Sequence, residues 1–433
     1  MITEVPHDTP TTRTADQTDR SSPRSDQGRR RRLPWPALMA MLLCVALIGF
    51  NTWWYWRDAR PALDIKTIEA LMSREQYIQA ESALHERLRR SRHDGEARLL
   101  LARTLAARGD TQGCALQLRE IPYWWPTKAE ALFHEGQAYL MADRAKNAET
   151  CWLAVIRDDP LHPSPPDITQ AASHQLLGLY ATEYRRDDAA KVIWETYERT
   201  SPADHPALLG MRVKSELERL APEATIGQLE RYVAADRTDW EALRALARAE
   251  LALGRKEDAD RDFQACLAGR PDDPRVWRDY LGMLYDLGNQ DAWTALLAKV
   301  PPSAESESEI WRFRGLLKEK TGDWAGAAQD YRRALNRNPY VMASHYRLAM
   351  VEERLGHRDV AVEHRKKADH LREARGELRA AFSELITAEE ARENQKASNP
   401  PDLPTSMRRL ASVCETLGWA RLAEAWNKLA DSS

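Results

Sequence analysis

Phenylalanine is scarce in this 433-residue chain, at 5 copies, while Ala, Leu, Arg and Glu are plentiful. That mix favours helix and gives strands little to build on. Neither sign of charge is in excess: 63 basic residues face 66 acidic ones, a net charge of −3. A dedicated nucleic-acid binder shows a basic surplus, so no nucleic-acid partner is expected. The five cysteines (Cys44, Cys114, Cys151, Cys266 and Cys414) form no C-x-x-C pair, and the closest two are 37 residues apart (151 − 114). Zinc ribbons, thioredoxin-type sites and haem attachment are unsupported, and the cysteines read as small buried residues. Composition also excludes a collagen-like chain, a disulfide scaffold and a polytopic membrane protein. No Walker loop, G-x-S-x-G or H-E-x-x-H occurs, and His364 and His370 are six apart, off metal-ligand spacing for one helix face. The expectation is no enzyme, no cofactor and no metal.

Long apolar runs are missing too, with one exception. Residues 1–32 are polar, lack apolar periodicity and end in Arg29-Arg30-Arg31-Arg32, which reads as a disordered basic segment. Residues 33–56 carry no charge, a length that at about 1.5 Å per residue crosses a hydrocarbon core of about 30 Å. Trp35 marks one border, and Trp53, Trp54 and Trp56 the other, as an interfacial belt would. Seven arginines precede the run, while only Arg57, Arg60 and Lys66 follow it closely. The resulting expectation is a single transmembrane helix in the cytoplasmic (inner) membrane, N-terminus cytoplasmic, the remainder on the periplasmic side, with the bilayer contacted through 33–56. The length of the run and its bulky aromatic end favour an uncleaved anchor over a signal peptide.

What the chain does have is self-similarity. Gly254, Gly288, Gly322 and Gly356 recur every 34 residues. Ala259, Ala327 and Ala361 follow three of them by five, Phe263 and Tyr331 follow two by nine, and Pro271 and Pro339 by seventeen. Upstream, Gly136, Ala148, Trp152 and Pro160 repeat the order, as do Gly178, Ala190, Trp194 and Pro202. Weaker units cover 61–94 and 205–239, and a last one near 404–433 keeps Gly418, Ala423 and Ala430. Each unit reads as two amphipathic helices joined at a left-handed glycine, with small residues for close helix approach, an aromatic wedge toward the next unit, and proline to stop the second helix. About ten units fit, and none closes its own core, so they must stack.

This pattern resembles the tetratricopeptide repeat, in the form of a membrane-anchored bacterial-type protein. It covers most of 61–372 and again 404–433, best at Ser308–Pro339 and Met342–Ala368. The family's first-helix Trp is matched by Trp277 and Trp311 and replaced by Leu132, Leu243 and His345. The resemblance implies an all-α, right-handed α-solenoid whose concave groove, lined by first helices, binds a peptide or partner protein without catalysis. The expected domains are 1–32, the transmembrane helix 33–56, the solenoid 57–372, a capping helix and linker 373–403, and a terminal helix pair 404–433.

Side chains on the groove face follow from the register: Arg244, Arg248, Arg278, Arg312 and Arg347, with Tyr285 and Tyr346 beside them. Arg244, Arg278 and Arg312 share one offset in three consecutive units, a row suited to carboxylates of an acidic partner. The competing reading is a solvated face neutralised by Glu241, Glu309 and Glu319. In Ile121–Pro126, the register puts Trp124 between units and Trp125 at a usually polar position, where it would face a bilayer or partner; the competing and favoured reading is a packed junction between units. The function expected is a membrane-anchored interaction scaffold, with an envelope or cytochrome assembly factor of chaperone-like adaptor type as the alternative.

Overall fold

The structure is a computed structural model that describes residues 39, 43, 45–49, 63–157, 164–218, 220–394 and 402–432. The chain divides into two units, Met1–Ala62 and Leu63–Ser433. The second holds twenty α-helices and two short 3-10 turns, with no strand among the described residues. Its first four hairpins are α1 (Ile65–Ser73) with α2 (Tyr77–Arg90), α3 (Gly95–Ala107) with α4 (Thr111–Arg119), α5 (Lys128–Met141) with α6 (Ala145–Ile156), and α7 (Pro166–Thr182) with α8 (Arg186–Tyr197). After α9 (His205–Leu217) and α10 (Pro222–Ala235) come α11 (Trp240–Ala252) with α12 (Lys256–Gly269), α13 (Pro274–Asp286) with α14 (Gln290–Leu297), and α15 (Ser308–Thr321) with α16 (Trp324–Arg337). The last pairs are α17 (Met342–Arg354) with α18 (Arg358–Asn394) and α19 (Leu403–Thr416) with α20 (Ala420–Ser432). This is an α-solenoid. α18 runs unbroken for 37 residues across positions 372 and 373.

Nine of the ten pairs turn the same way. The residue two places before the second helix is left-handed in each, and it is glycine in six (Gly109, Gly254, Gly288, Gly322, Gly356, Gly418). Glu75, Asp143 and Tyr184 occupy that position in the other three, at φ 60°, 58° and 55°. Aspartates fix helix starts: Asp94, Asp239 and Asp323 accept from the backbone N–H groups of Ala97, Ala242 and Gly326. Small residues take the aromatic wedges as the repeat requires. A Cβ at Gly315 would stand 2.7 Å from the Tyr331 ring, and one at Gly136 would collide with Trp152.

The first-helix aromatic position has a second duty. Trp277 Nε1 donates to the Pro271 carbonyl (2.7 Å) and Trp311 Nε1 to that of Glu305 (2.9 Å), six residues upstream in each case. His345 stands in the same register, with Nε2 2.9 Å from the Pro339 oxygen. A carbonyl only accepts, so Nε2 carries the proton and Nδ1 is left as an acceptor for the His364 Nδ1–H at 2.9 Å. His364 is thus tied to another histidine rather than to His370.

The pair α9/α10 departs from the repeat, because its helices barely touch. α10 packs on α11 and places Leu229 and Tyr232 in one apolar core with Trp152, Leu176 and Leu246. α9 instead joins α8 and gives Leu209 and Val213 to a core built by α18, α19 and α20, with Leu385, Leu410 and Trp426. Charged contacts seal this return of the C-terminal end. Arg421 donates to Glu198 (2.5 Å) and lies 4.1 Å from the Trp194 ring, and Arg379 donates to the Leu217 carbonyl (3.2 Å). The solenoid therefore closes on its own middle.

Two expectations are corrected. Among the described residues no helix is long and apolar enough to cross a membrane, which overturns the single-pass inner-membrane placement with periplasmic repeats. Of the 33–56 run the described residues are Met39, Leu43 and 45–49, all of them helical. Residues 1–32 and Trp35, Trp53, Trp54 and Trp56 lie outside the described residues. In the Ile121–Pro126 loop the tryptophans trade roles. Trp124 is 54% exposed, while Trp125 packs so closely over Gly95 that a Cβ there would stand 2.5 Å from the ring.

Glu250 of α11 is 5% exposed, and its Oε2 has no hydrogen-bond partner. Burial, reinforced by Asp262 and Asp258, pushes its carboxyl up to about 7. A carboxyl raised on folding stabilises fully below its unfolded pKa and loses that contribution as pH rises through the folded value. Glu250→Gln is expected to match the parent near pH 4.5 and exceed it by about 1–3 kcal/mol at pH 8 in chemical denaturation. An unchanged difference across that window would show that the carboxyl titrates normally.

Candidate functional site

The site grows from one turn. Between α7 and α8 the chain reads Glu183-Tyr184-Arg185, and Tyr184 takes the left-handed position where six hairpins carry glycine. A bulky side chain there costs about 1 kcal/mol, so the neighbours must hold it. Arg185 supplies the anchor. It is buried and donates to Glu149 (2.7 and 2.9 Å), Glu183 (3.0 Å) and Asp188 (2.7 Å). Burial pushes the Glu183 carboxyl up to about 8, against the pull of Arg185. The Tyr184 hydroxyl bonds Thr225 of α10 at 2.7 Å. Arg248 of α11 donates to the Tyr184 carbonyl (3.3 Å) and sits 5.3 Å from its ring centre.

Between α7, α8 and α9 lies a cavity of about 730 Å³ walled by Leu177, Tyr180 and Ala181 of α7, Ala189 of α8, and Met211 and Leu217 of α9. Arg186, Lys214, Arg248 and Arg379 stand at its edge, with Glu218 the one acidic residue among the lining side chains. A second cavity of about 190 Å³ shares Tyr184, Arg186 and Arg248 with the first. Its wall adds Arg185, Arg244, Arg275 and Arg278, with Asp187 and Asp188.

These arginines are held by acids behind them. Arg244 donates to Asp279 (2.7 Å) and Glu241 (3.1 Å), and Arg278 to Asp279 and Glu307 (both 3.0 Å). Arg275 reaches Asp188 (3.3 Å), Asp273 (3.1 Å) and Glu241. Burial opposes the Asp279 charge, but Arg278 and Arg244 overcome it and hold the carboxyl below its usual range. Arg244 is 2% exposed, and its Nε–H has no acceptor. Chemically, the arrangement is an apolar chamber beside a preorganised set of guanidinium donors. Among the described residues no group of three or more His, Cys, Asp or Glu is placed to hold a metal.

Of the residues expected in the groove, Arg244, Arg248 and Arg278 do come together here. Arg244 is buried, where the register had it facing outward, because Glu241 and Asp279 draw it in. The others lie elsewhere. Arg312 covers the Phe313 ring at 4.6 Å and makes no ion pair among the described residues. Arg347 reaches Glu319 (3.4 Å), Tyr285 packs against Trp293 and Phe313, and Tyr346 is exposed on α17. Sequence reasoning missed Tyr184, Arg185, Arg186 and Arg275. Its available signal was a tyrosine standing in the glycine column of the repeat.

No protein-family profile matches the chain, and no curated protein matches it. Solved structures are similar at a low level. A crystal structure of MamA is 17% identical, spanning 39% of this chain and 96% of that one, at a TM-score of 0.31. MamA from Desulfovibrio magneticus RS-1 is 20% identical over the same shares, also at 0.31. An IFIT1 monomeric mutant with Gppp-AAAA is 14% identical, spanning 79% of this chain and 91% of that one, at 0.33. At these values the likenesses carry no functional argument, and the reading rests on the chain's own residues.

Tyr184→Gly and Tyr184→Ala both remove the ring, but only the glycine relieves the backbone. Denaturant titration is expected to find the glycine variant more stable than the alanine variant by about 1 kcal/mol. Equal stability would mean that the turn is not left-handed.

Proposed function

We propose that this chain is a tetratricopeptide-like interaction scaffold, without catalytic chemistry, whose two-part cavity holds a segment of a partner protein. The observation that carries the reading is the junction of an apolar chamber of about 730 Å³ with an arginine-lined one of about 190 Å³ through a shared wall. Apolar burial supplies affinity, at about 25 cal/mol per Å² of covered surface, and fixed guanidinium donors supply orientation. Rigid helices position both parts, so the site needs little ordering on binding. The basic side chains around the chamber favour an acidic partner.

A photocrosslinking amino acid in place of Ala181, which lines the chamber, tests this in the producing cell. The reading expects a discrete protein adduct that disappears when Arg248→Glu is added. If no protein adduct forms, the scaffold reading is wrong.

A further inference from the structure

We infer that His345 and His364 form a proton-sensitive catch, which holds α18, the stem of the C-terminal arm, against α17 near neutral pH and lets go of it in acid.

The catch stands where the two preceding units carry none. Trp277, Trp311 and His345 share one register, and each bonds the carbonyl six residues upstream. Nineteen residues on from each, the second helix presents Leu296, Asp330 and His364 in turn. Of these three junctions the last alone has an imidazole on both sides, and its two rings meet at 2.9 Å between their Nδ1 atoms. An indole makes the carbonyl bond at any pH. The histidine makes it too, but holds its neighbour through a nitrogen that must stay unprotonated.

Hydrogen-bond counting limits what the pair can carry. His345 gives its Nε2–H to Pro339, so its Nδ1 must accept from His364. His364 is half-buried, and a first proton can settle on its Nε2 while both bonds survive. A second proton has only the Nδ1 of His345 to occupy. It would set two N–H groups and two cations against each other across 2.9 Å, with His345 buried away from the water that could screen them. The surrounding charges do not remove the conflict. Glu352 of α17 is fully buried and already holds Arg332 of α16 and His357 of the turn before α18. Arg332 opposes a charge on His364, and Lys367 of α18 opposes one on His345. Glu363, also on α18, favours both charges but is exposed, so water weakens its pull. Burial above all holds both rings below the ordinary imidazole value. Groups depressed in this way stabilise above their unfolded value and lose that contribution as pH falls through the folded one, so the window lies below about 6.5.

The stem carries the release further. α18 is one helix of 37 residues. Fifteen residues beyond His364, about 22 Å along the axis, Arg379 donates to the Leu217 carbonyl and borders the larger cavity. Beyond it, Leu385 shares a core with Leu209 of α9. A tilt at the base of α18 thus reaches α9 and the cavity wall.

Spin labels at Asn336→Cys on α16 and Ser383→Cys on α18, both exposed positions, read the arm against the body of the full chain by double electron–electron resonance. One distance is expected at pH 8. Below about pH 6 a second, longer distance is expected, its ratio to the first rising about tenfold per pH unit for each proton taken up. His345→Trp restores the residue of the preceding units. His364→Asn keeps a donor for His345 without titrating. Each variant, with its helicity checked by circular dichroism, is expected to keep the pH 8 distribution at pH 5, and either one suffices if the other fails to fold. A parent whose distribution is the same at pH 8 and pH 5 overturns the inference. So does a folded variant that gains the second distance as the parent does, because other titrating groups would then be responsible.

Discussion

A helical hairpin of about thirty residues has more apolar surface than it can cover by itself, so each one depends on its neighbours. In this chain the dependence is visible in the wedges. Trp152 fills the space over Gly136 and Tyr331 that over Gly315, and each successive core borrows helices from the hairpin beside it. Stacking of this kind leaves little freedom. If one helix is drawn elsewhere, the faces it should have covered must find another partner or remain open. α9 is that helix. The C-terminal end of the array claims Leu209 and Val213 for its own core, while Met211 and Leu217 of the same helix wall the chamber opposite α7. The candidate site is thus a consequence of how the solenoid closes, rather than an insertion carried on it.

The charged part of the site follows from the same event. Removing arginines from water is unfavourable unless each finds acids and further hydrogen bonds. Glu149, Glu183 and Asp188 do this for Arg185, and Glu241 and Asp279 for Arg244. The network fixes guanidinium planes in advance, so an arriving acid would meet donors that already point in set directions. It also explains how a tyrosine persists at φ 55°. The ion pairs of Arg185, the hydroxyl bond to Thr225 and the grip of Arg248 on the carbonyl together outweigh about 1 kcal/mol of backbone strain.

The helical hairpins and their glycine turns were legible because they rest on spacing, and spacing is local. Gly254, Gly288, Gly322 and Gly356 announced their turns, and Trp277 and Trp311 the first-helix position of their units. The branch at α9 was not legible. Its two candidate cores compete through residues about two hundred positions apart, such as Leu209 and Leu410, and no local pattern records which core wins. The one hint was the weakness of the 205–239 unit, which lacks a turn glycine and joins its helices through Pro222 instead. The arginine row was half legible. Periodicity found Arg244, Arg248 and Arg278, but it could not show that Arg185 and Arg186 at the α7–α8 junction meet them together with Arg275 from the first turn of α13, or that Arg312 and Arg347 stay apart.

The claim on which the account turns is that α9 and α10 are parted. Spin labels at Ala207→Cys near the start of α9 and Ala234→Cys near the end of α10, read by double electron–electron resonance, measure this directly. A packed antiparallel hairpin would bring these ends together, with helix axes about 8–10 Å apart. The account predicts a distribution centred well beyond such a pair. A narrow distribution at hairpin spacing would contradict it.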